Sequence, residues 1–155
     1  MRTFIQQIHT RLLRSGQTIA VAESCTGGML SSILTSLPGS SAYFIFGAVV
    51  YSNPAKHTIL SIPLSLITRH GAVSKQVAAA MAQTVRGIAK TGIGIGITGI
   101  AGPAGGTARK PVGTVYISVA TRNKTLCTKF NFRGTRSSIR SQSALAALNM
   151  LKGLL

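Results

Sequence analysis

One carboxylate, Glu23, stands against 17 lysines and arginines in this 155-residue chain, a formal net charge of +16. Such a chain folds against its own unscreened repulsion, so its compact state is expected to lean on apolar burial and to depend on salt. Hydrophobic residues make up 45% of it. They come in runs of about five to ten broken by Gly, Pro and Ser, too short for a membrane span of roughly 20 residues. The length suits one domain with a substantial core. The opening stretch from Met1 to Arg11 lacks the uninterrupted apolar segment of a secretory signal. Cys25 and Cys127 lie too far apart in sequence to suggest a disulfide framework, and a reducing cytoplasm is the expected compartment.

The lone acid also removes chemistry. Two-carboxylate glycosidases, aspartic proteases and Ser-His-Asp triads lose their parts, as do calcium and magnesium sites built from several carboxylates. His9, His57, His70 and the two cysteines show no metal-ligand spacing, so neither a metal nor another cofactor is expected. A nucleophile activated by lysine survives this elimination. The positive charge predicts non-specific nucleic-acid binding at low salt. A dedicated nucleic-acid module would concentrate its basic residues, whereas these are scattered, with loose groupings at Arg109-Lys110 and from Arg133 to Arg140. Five Phe, three Tyr and no Trp fall mostly in apolar runs, where core packing is the simpler role than base stacking.

Periodicity gives the element order. Phe4, Ile5, Ile8, Leu12 and Leu13 recur at helical spacing up to Gly16, and residues 18–22 read as a short buried strand. Gly27 and Gly28 open a second helix with Met29, Leu30, Ile33, Leu34 and Leu37 on its apolar face, ended by Pro38-Gly39. Residues 43–51 read as a buried strand, and a short helical stretch follows Asn53. Ser74 is placed to N-cap a long helix carrying Val77, Met81, Val85 and Ile88. Strands are expected over 93–98, 113–120 and 126–132, and a closing helix over 137–151. The alternation predicts a single three-layer α/β/α domain. The last three strands have no helices between them, which makes the sheet mixed but mostly parallel.

Gly94-Ile95-Gly96-Ile97-Thr98-Gly99 has the glycine spacing of a dinucleotide fingerprint. That fingerprint must open a helix and be followed about 20 residues on by an acid. Here a loop follows and no acid exists, so these glycines instead predict a strand face kept thin for a close neighbour. Three segments fall where strands end, the place where ligands collect in open α/β sheets: Ser24 to Gly28, Tyr51 to Lys56, and Thr98 to Pro103. Each has a plain alternative on its own: a helix cap at Ser24 or Thr26, a solvated lysine at Lys56, a simple glycine turn.

Together, Ala22-Glu23-Ser24-Cys25-Thr26-Gly27-Gly28, Pro38-Gly39-Ser40-Ser41, Tyr51-Ser52-Asn53 with Lys56, His70-Gly71-Ala72-Val73-Ser74, Thr98-Gly99-Ile100-Ala101-Gly102-Pro103 and Lys110-Pro111-Val112-Gly113-Thr114-Val115 resemble the CinA C-terminal domain family of nicotinamide-nucleotide amidases. The matches run in the family's order from about residue 4 onward, so the resemblance spans one domain over 1–155. It implies hydrolysis of nicotinamide mononucleotide to nicotinic acid mononucleotide and ammonia, in a domain that self-associates. It assigns Ser24 as nucleophile, Lys56 as base and Tyr51 as an assisting hydroxyl. It places Glu23, Cys25, Thr26, Gly27, Gly28, Asn53, Thr98, Gly99 and Gly102 at the substrate, and Arg136 or Arg140 on its phosphate. Backbone amides from Cys25 to Gly28 and the loop from Gly99 to Gly102 are the candidates for holding an oxyanion.

Lysine suits the role of base because desolvation and neighbouring positive charge lower its pKa. Cys25 is the rival nucleophile, but a cysteine amidase normally relies on a nearby histidine, and the resemblance assigns none. Carboxylates usual in the family are missing: Pro54, Lys75, Arg109 and Thr135 stand in their places. If Glu23 was kept because the site needs it, to hydrogen-bond loop amides or to position Lys56, the chain is an active amidase; if the acid at the Thr135 position was required to orient Arg136, it is instead a weak or inactive relative that binds nucleotides or nucleic acid through its charge.

Overall fold

A computed structural model describes residues 2–155. The elements are α1 (Arg2–Ser15), β1 (Ile19–Glu23), α2 (Met29–Leu34), a 3-10 turn (Ser40–Ala42), β2 (Phe44–Val49), α3 (Asn53–Leu60), α4 (Leu64–His70), α5 (Lys75–Ala89), β3 (Ile93–Gly99), β4 (Thr114–Ala120), β5 (Thr125–Asn131) and α6 (Arg136–Lys152). The strands form one sheet in the order β2-β1-β3-β4-β5. β1 pairs in parallel with β2 and β3, and β4 is antiparallel to β3 and β5, so four strands run one way and β4 alone opposes them. Helices carry the chain back between β1, β2 and β3, whereas a loop over 100–113 and a turn over 121–124 join β3, β4 and β5 with no helix between them, as the sequence predicts.

Strand parity sorts the core into two layers. Ile19 and Val21 of β1 pack with Ile8, Leu12, Leu30, Leu34 and Leu148 of α1, α2 and α6. Ala20 and Ala22 face the other way, onto Leu60, Ile67, Val77, Met81 and Val85 of α3, α4 and α5. Each fully buried Leu, Ile, Val or Met contributes about 1.5–3 kcal/mol, and this burial holds a chain of net charge +16 together. The thin face of β3 receives a helix: a Cβ on Gly96 would lie 2.5 Å from the Ala78 carbonyl oxygen and 2.7 Å from the Ala82 nitrogen of α5. Gly94 likewise lies under Ala82 and Arg86.

Three expectations change. The strand at 43–51 is shorter and half-exposed, because β2 is an edge strand with a neighbour on one side only. A separate helix, α4, follows α3; Ser61 at φ 52° ends one and Pro63 starts the other. Helix α2 stops at Leu34, short of Leu37. Among the described residues, no helix is long and apolar enough to cross a membrane.

Candidate active site

β1, β2 and β3 are parallel, so the segments that follow them gather at one edge of the sheet. The chain leaves β1 for β2 on one side and returns as β3 on the other, the switch point at which α/β sheets open a crevice. A cavity of about 250 Å³ lies there. Of the sequence-predicted residues its lining holds Ser24 and Cys25 after β1, Tyr51, Asn53 and Lys56 after β2, Thr98, Gly99 and Gly102 at the end of β3, and Arg136 at the start of α6.

Lys56 is the least ordinary of these. Ser52 caps α3 by accepting from the Ala55 amide, and Pro54 sits in the first turn, a position that suits its fixed φ. This start turns Lys56 inward, where it is 1% exposed. Its Nζ donates to Ser24 Oγ at 3.1 Å, to the Val50 carbonyl at 3.0 Å and to the Tyr51 carbonyl at 3.4 Å. Burial lowers its pKa from the ordinary 10.5, with a smaller opposing effect from Cys25. The two carbonyls occupy two N–H bonds of a neutral amine, which leaves the lone pair for the proton of Ser24. Cys25 is 5% exposed, and burial pushes its thiol up to about 11, so the thiolate is disfavoured.

Other predicted residues stand behind the cavity. Glu23 is fully buried and does not line it. Its carboxylate accepts from the amides of Gly28, Leu30 and Ser31 at 3.1, 3.1 and 2.8 Å, and from the Ser31 hydroxyl at 2.6 Å. These donors saturate it, so its placement at the substrate is corrected to anchoring the start of α2. Thr26 is also fully buried, and Gly27 and Gly28 turn away with φ of 60° and 91°. Gly27 donates to the Ser24 carbonyl and Gly28 to Glu23, so neither amide is free for an oxyanion. That leaves the amides of Cys25 and Thr26 as this segment's candidates for an oxyanion.

The two arginines diverge. Arg136 donates to the Gly102 carbonyl at 2.7 Å and to the Tyr51 hydroxyl, bridging the cavity mouth. Arg140 is not among the lining residues; its guanidinium is turned onto the Thr26 carbonyl. Ile100 and Ala101, inside the expected Gly99 to Gly102 loop, also line it, whereas sequence reasoning missed Ala72, Val73, Ala104 and Gly105. All four are apolar with no side-chain polar group, and the only signal was position: Ala72 and Val73 lie inside a quoted motif, and Ala104 and Gly105 directly follow one. Thr98 ties this wall together by donating to the Ala72 carbonyl at 2.9 Å. Among the described residues no three His, Cys, Asp or Glu are grouped as metal ligands would be.

Fold and site together define an α/β domain with a lysine-paired serine at the switch point of its sheet. The CinA C-terminal domain model matches residues 1–155, and the chain belongs to that family. It is 49% identical over 144 residues to a CinA-like protein of Geobacter sp. (strain M21), covering 93% of this chain and 35% of the relative. It is 46% identical to a putative competence-damage inducible protein of Desulforudis audaxviator, again 93% and 35% of the two lengths. The chain thus spans about a third of these curated relatives. The competence/damage inducible protein CihA of Agrobacterium tumefaciens superposes with a TM-score of 0.95 at 37% identity, covering 98% of this chain and 93% of that one. A CinA superfamily protein of Escherichia coli gives 0.93 at 32%, covering 98% and 88%.

Proposed function

We propose that this domain is an amidase that hydrolyses nicotinamide mononucleotide to nicotinic acid mononucleotide and ammonia. The observation that carries the reading is the buried Lys56 amine 3.1 Å from Ser24 Oγ at the floor of the cavity. Neutral Lys56 takes the Ser24 proton as Oγ attacks the carboxamide carbon, and the Cys25 amide faces the developing oxyanion. The ammonium of Lys56 then protonates the departing nitrogen, and ammonia leaves an acyl-serine ester. Water attacks the ester, Lys56 receives its proton, and the carboxylate product departs as Ser24 recovers its hydrogen. Tyr51 and Arg136 also line the cavity, the Tyr51 hydroxyl as the assisting group and the guanidinium suited to the 5′-phosphate.

The working form is proposed to be a self-associated protein of the cytoplasm. The test is ammonia release by purified protein. Ser24→Ala abolishes it with the fold intact, and Cys25→Ala keeps most of it. A dead Cys25→Ala beside an active Ser24→Ala refutes the hydroxyl mechanism, and no ammonia from the wild type favours the nucleotide-binding alternative.

A further inference from the structure

We propose that Arg140 is a positioning residue for the nucleophile, acting on Ser24 through the Thr26–Gly27 peptide, and is not a ligand of the substrate phosphate; the inference rests on Ser24 being the reactive group. Arg140 projects from α6 and donates to the Thr26 carbonyl twice, from Nη2 at 2.8 Å and from Nε at 3.3 Å. The hydrogen of the same planar peptide belongs to Gly27, whose N–H donates to the Ser24 carbonyl at 3.0 Å. One peptide plane is therefore held from both sides, by a guanidinium on its oxygen and by Ser24 on its hydrogen. Ser24 in turn donates its amide to the Ile97 carbonyl of β3 at 3.0 Å.

Gly27 has the shape this contact needs. Its φ is 60°, and a Cβ there would sit 3.2 Å from Arg140 Nη2. The guanidinium lies against the glycine, where a side chain would crowd it. No carboxylate neutralises Arg140, because the only one in the chain is saturated by α2. Its charge is spent on the Thr26 carbonyl beneath the nucleophile turn. Arg136, one helical turn earlier, lines the cavity and Arg140 does not. The pair thus divides into one arginine toward ligand and one toward the turn.

The experiment compares wild type, Arg140→Lys, Arg140→Met and Arg136→Met. The first readout is the rate at which a small neutral fluorophosphonate, lacking any nucleotide, labels Ser24. Labelling is expected to slow at least tenfold in Arg140→Met and less in Arg140→Lys. The second readout is kcat and KM on nicotinamide mononucleotide and on the same compound without its phosphate. Arg140→Met should lose the same factor in kcat on both, whereas Arg136→Met should raise KM only where the phosphate is present. Melting midpoints check the fold, and Arg140→Lys decides if Arg140→Met does not fold. Unchanged labelling, or an Arg140 effect confined to KM for the phosphorylated compound, overturns the proposal. A wild type that labels at Ser24 but releases no ammonia refutes the amidase reading alone, and the labelling arm still decides Arg140. No wild-type labelling refutes both.

Discussion

Replacing Lys56 by Met should separate the protein's chemistry from its stability. An amine at the ordinary 10.5 is neutral at pH 7 in only about 3 molecules in 10,000, and each unit of lowering raises that fraction tenfold. Burial lowers Lys56, so the wild-type rate should climb with slope one in log rate against pH until the lowered pKa, then level off below 10.5. Lys56→Met should lose the limb and at least about 10³-fold in kcat, because nucleophile and base act as one unit.

Stability follows another ledger. The variant leaves the buried Val50 carbonyl without its donor, at about 1–3 kcal/mol, and removes a desolvated ammonium whose cost is of the same order. The net change at neutral pH should be within about 2 kcal/mol. The sign with pH is fixed by the lowered pKa. Between the folded value and the unfolded 10.5 the unfolded chain binds more protons, so wild-type stability gains with rising pH, while below the folded value the penalty is fully present. Lys56→Met lacks this gain. Initial rates by ammonia assay and urea unfolding across pH 7–10, an interval of about three units below the ordinary lysine pKa, measure both. A retained alkaline limb in Lys56→Met would refute the assignment of the base.

Gly96→Ala should destabilise by about 2–4 kcal/mol in urea unfolding, since its Cβ would meet backbone of α5 and the helix must lift off the sheet; a change below about 0.5 kcal/mol would show that α5 is not seated as described. Ammonia release should persist in EDTA, and loss restored by zinc or magnesium would overturn a metal-free mechanism. Binding to unrelated DNA duplexes should be similar among sequences and collapse as salt approaches a few tenths molar by order of magnitude, and marked preference for one sequence at physiological salt would refute this.

Local chemistry made part of the site legible. Strands ending beside Ser24 and at Thr98-Gly99, and the helix cap at Ser74, are written in neighbouring residues, and so are the three segments that meet. The burial of Lys56 was not legible beyond its residue type, because the Val50 and Tyr51 carbonyls that hold it depend on how β2 hands over to α3. Arg136 and Arg140 stand one turn apart and share a helix face, so sequence spacing treats them alike. What separates them is that Thr135 caps α6 so that it begins at Arg136, which leaves Arg136 at the cavity mouth and Arg140 beside Thr26. Glu23 was legible as important, and of its expected roles the one on neighbouring amides is what the structure has, with those amides five to eight residues on.

The missing family carboxylates acquire a meaning from their positions. Pro54, Lys75 and Thr135 all fall at helix starts: in the first turn of α3, at the first residue of α5 and at the N-cap of α6. An acid at such places chiefly complements the exposed amides and the helix dipole, for about 0.3–1 kcal/mol. Thr135 already does the capping, accepting from the Ser138 amide at 3.3 Å, and Pro54 is well tolerated in a first turn. Lys75 is the unfavourable one, a cation against the positive end of the helix that packs across the sheet. Restoring its acid as Lys75→Glu reverses a repulsion and should stabilise by about 0.5–1.5 kcal/mol, a rise of roughly 1–6 °C in Tm, with turnover unchanged. Thr135→Asp should be nearly neutral in both. These three acids on this view served stability, Arg109 lies in the loop between β3 and β4 and is not explained by it, and the acid that was kept holds the turn behind the nucleophile. A tenfold gain in kcat from Thr135→Asp would show instead that chemistry needs a carboxylate beside Arg136, and would sink that distinction.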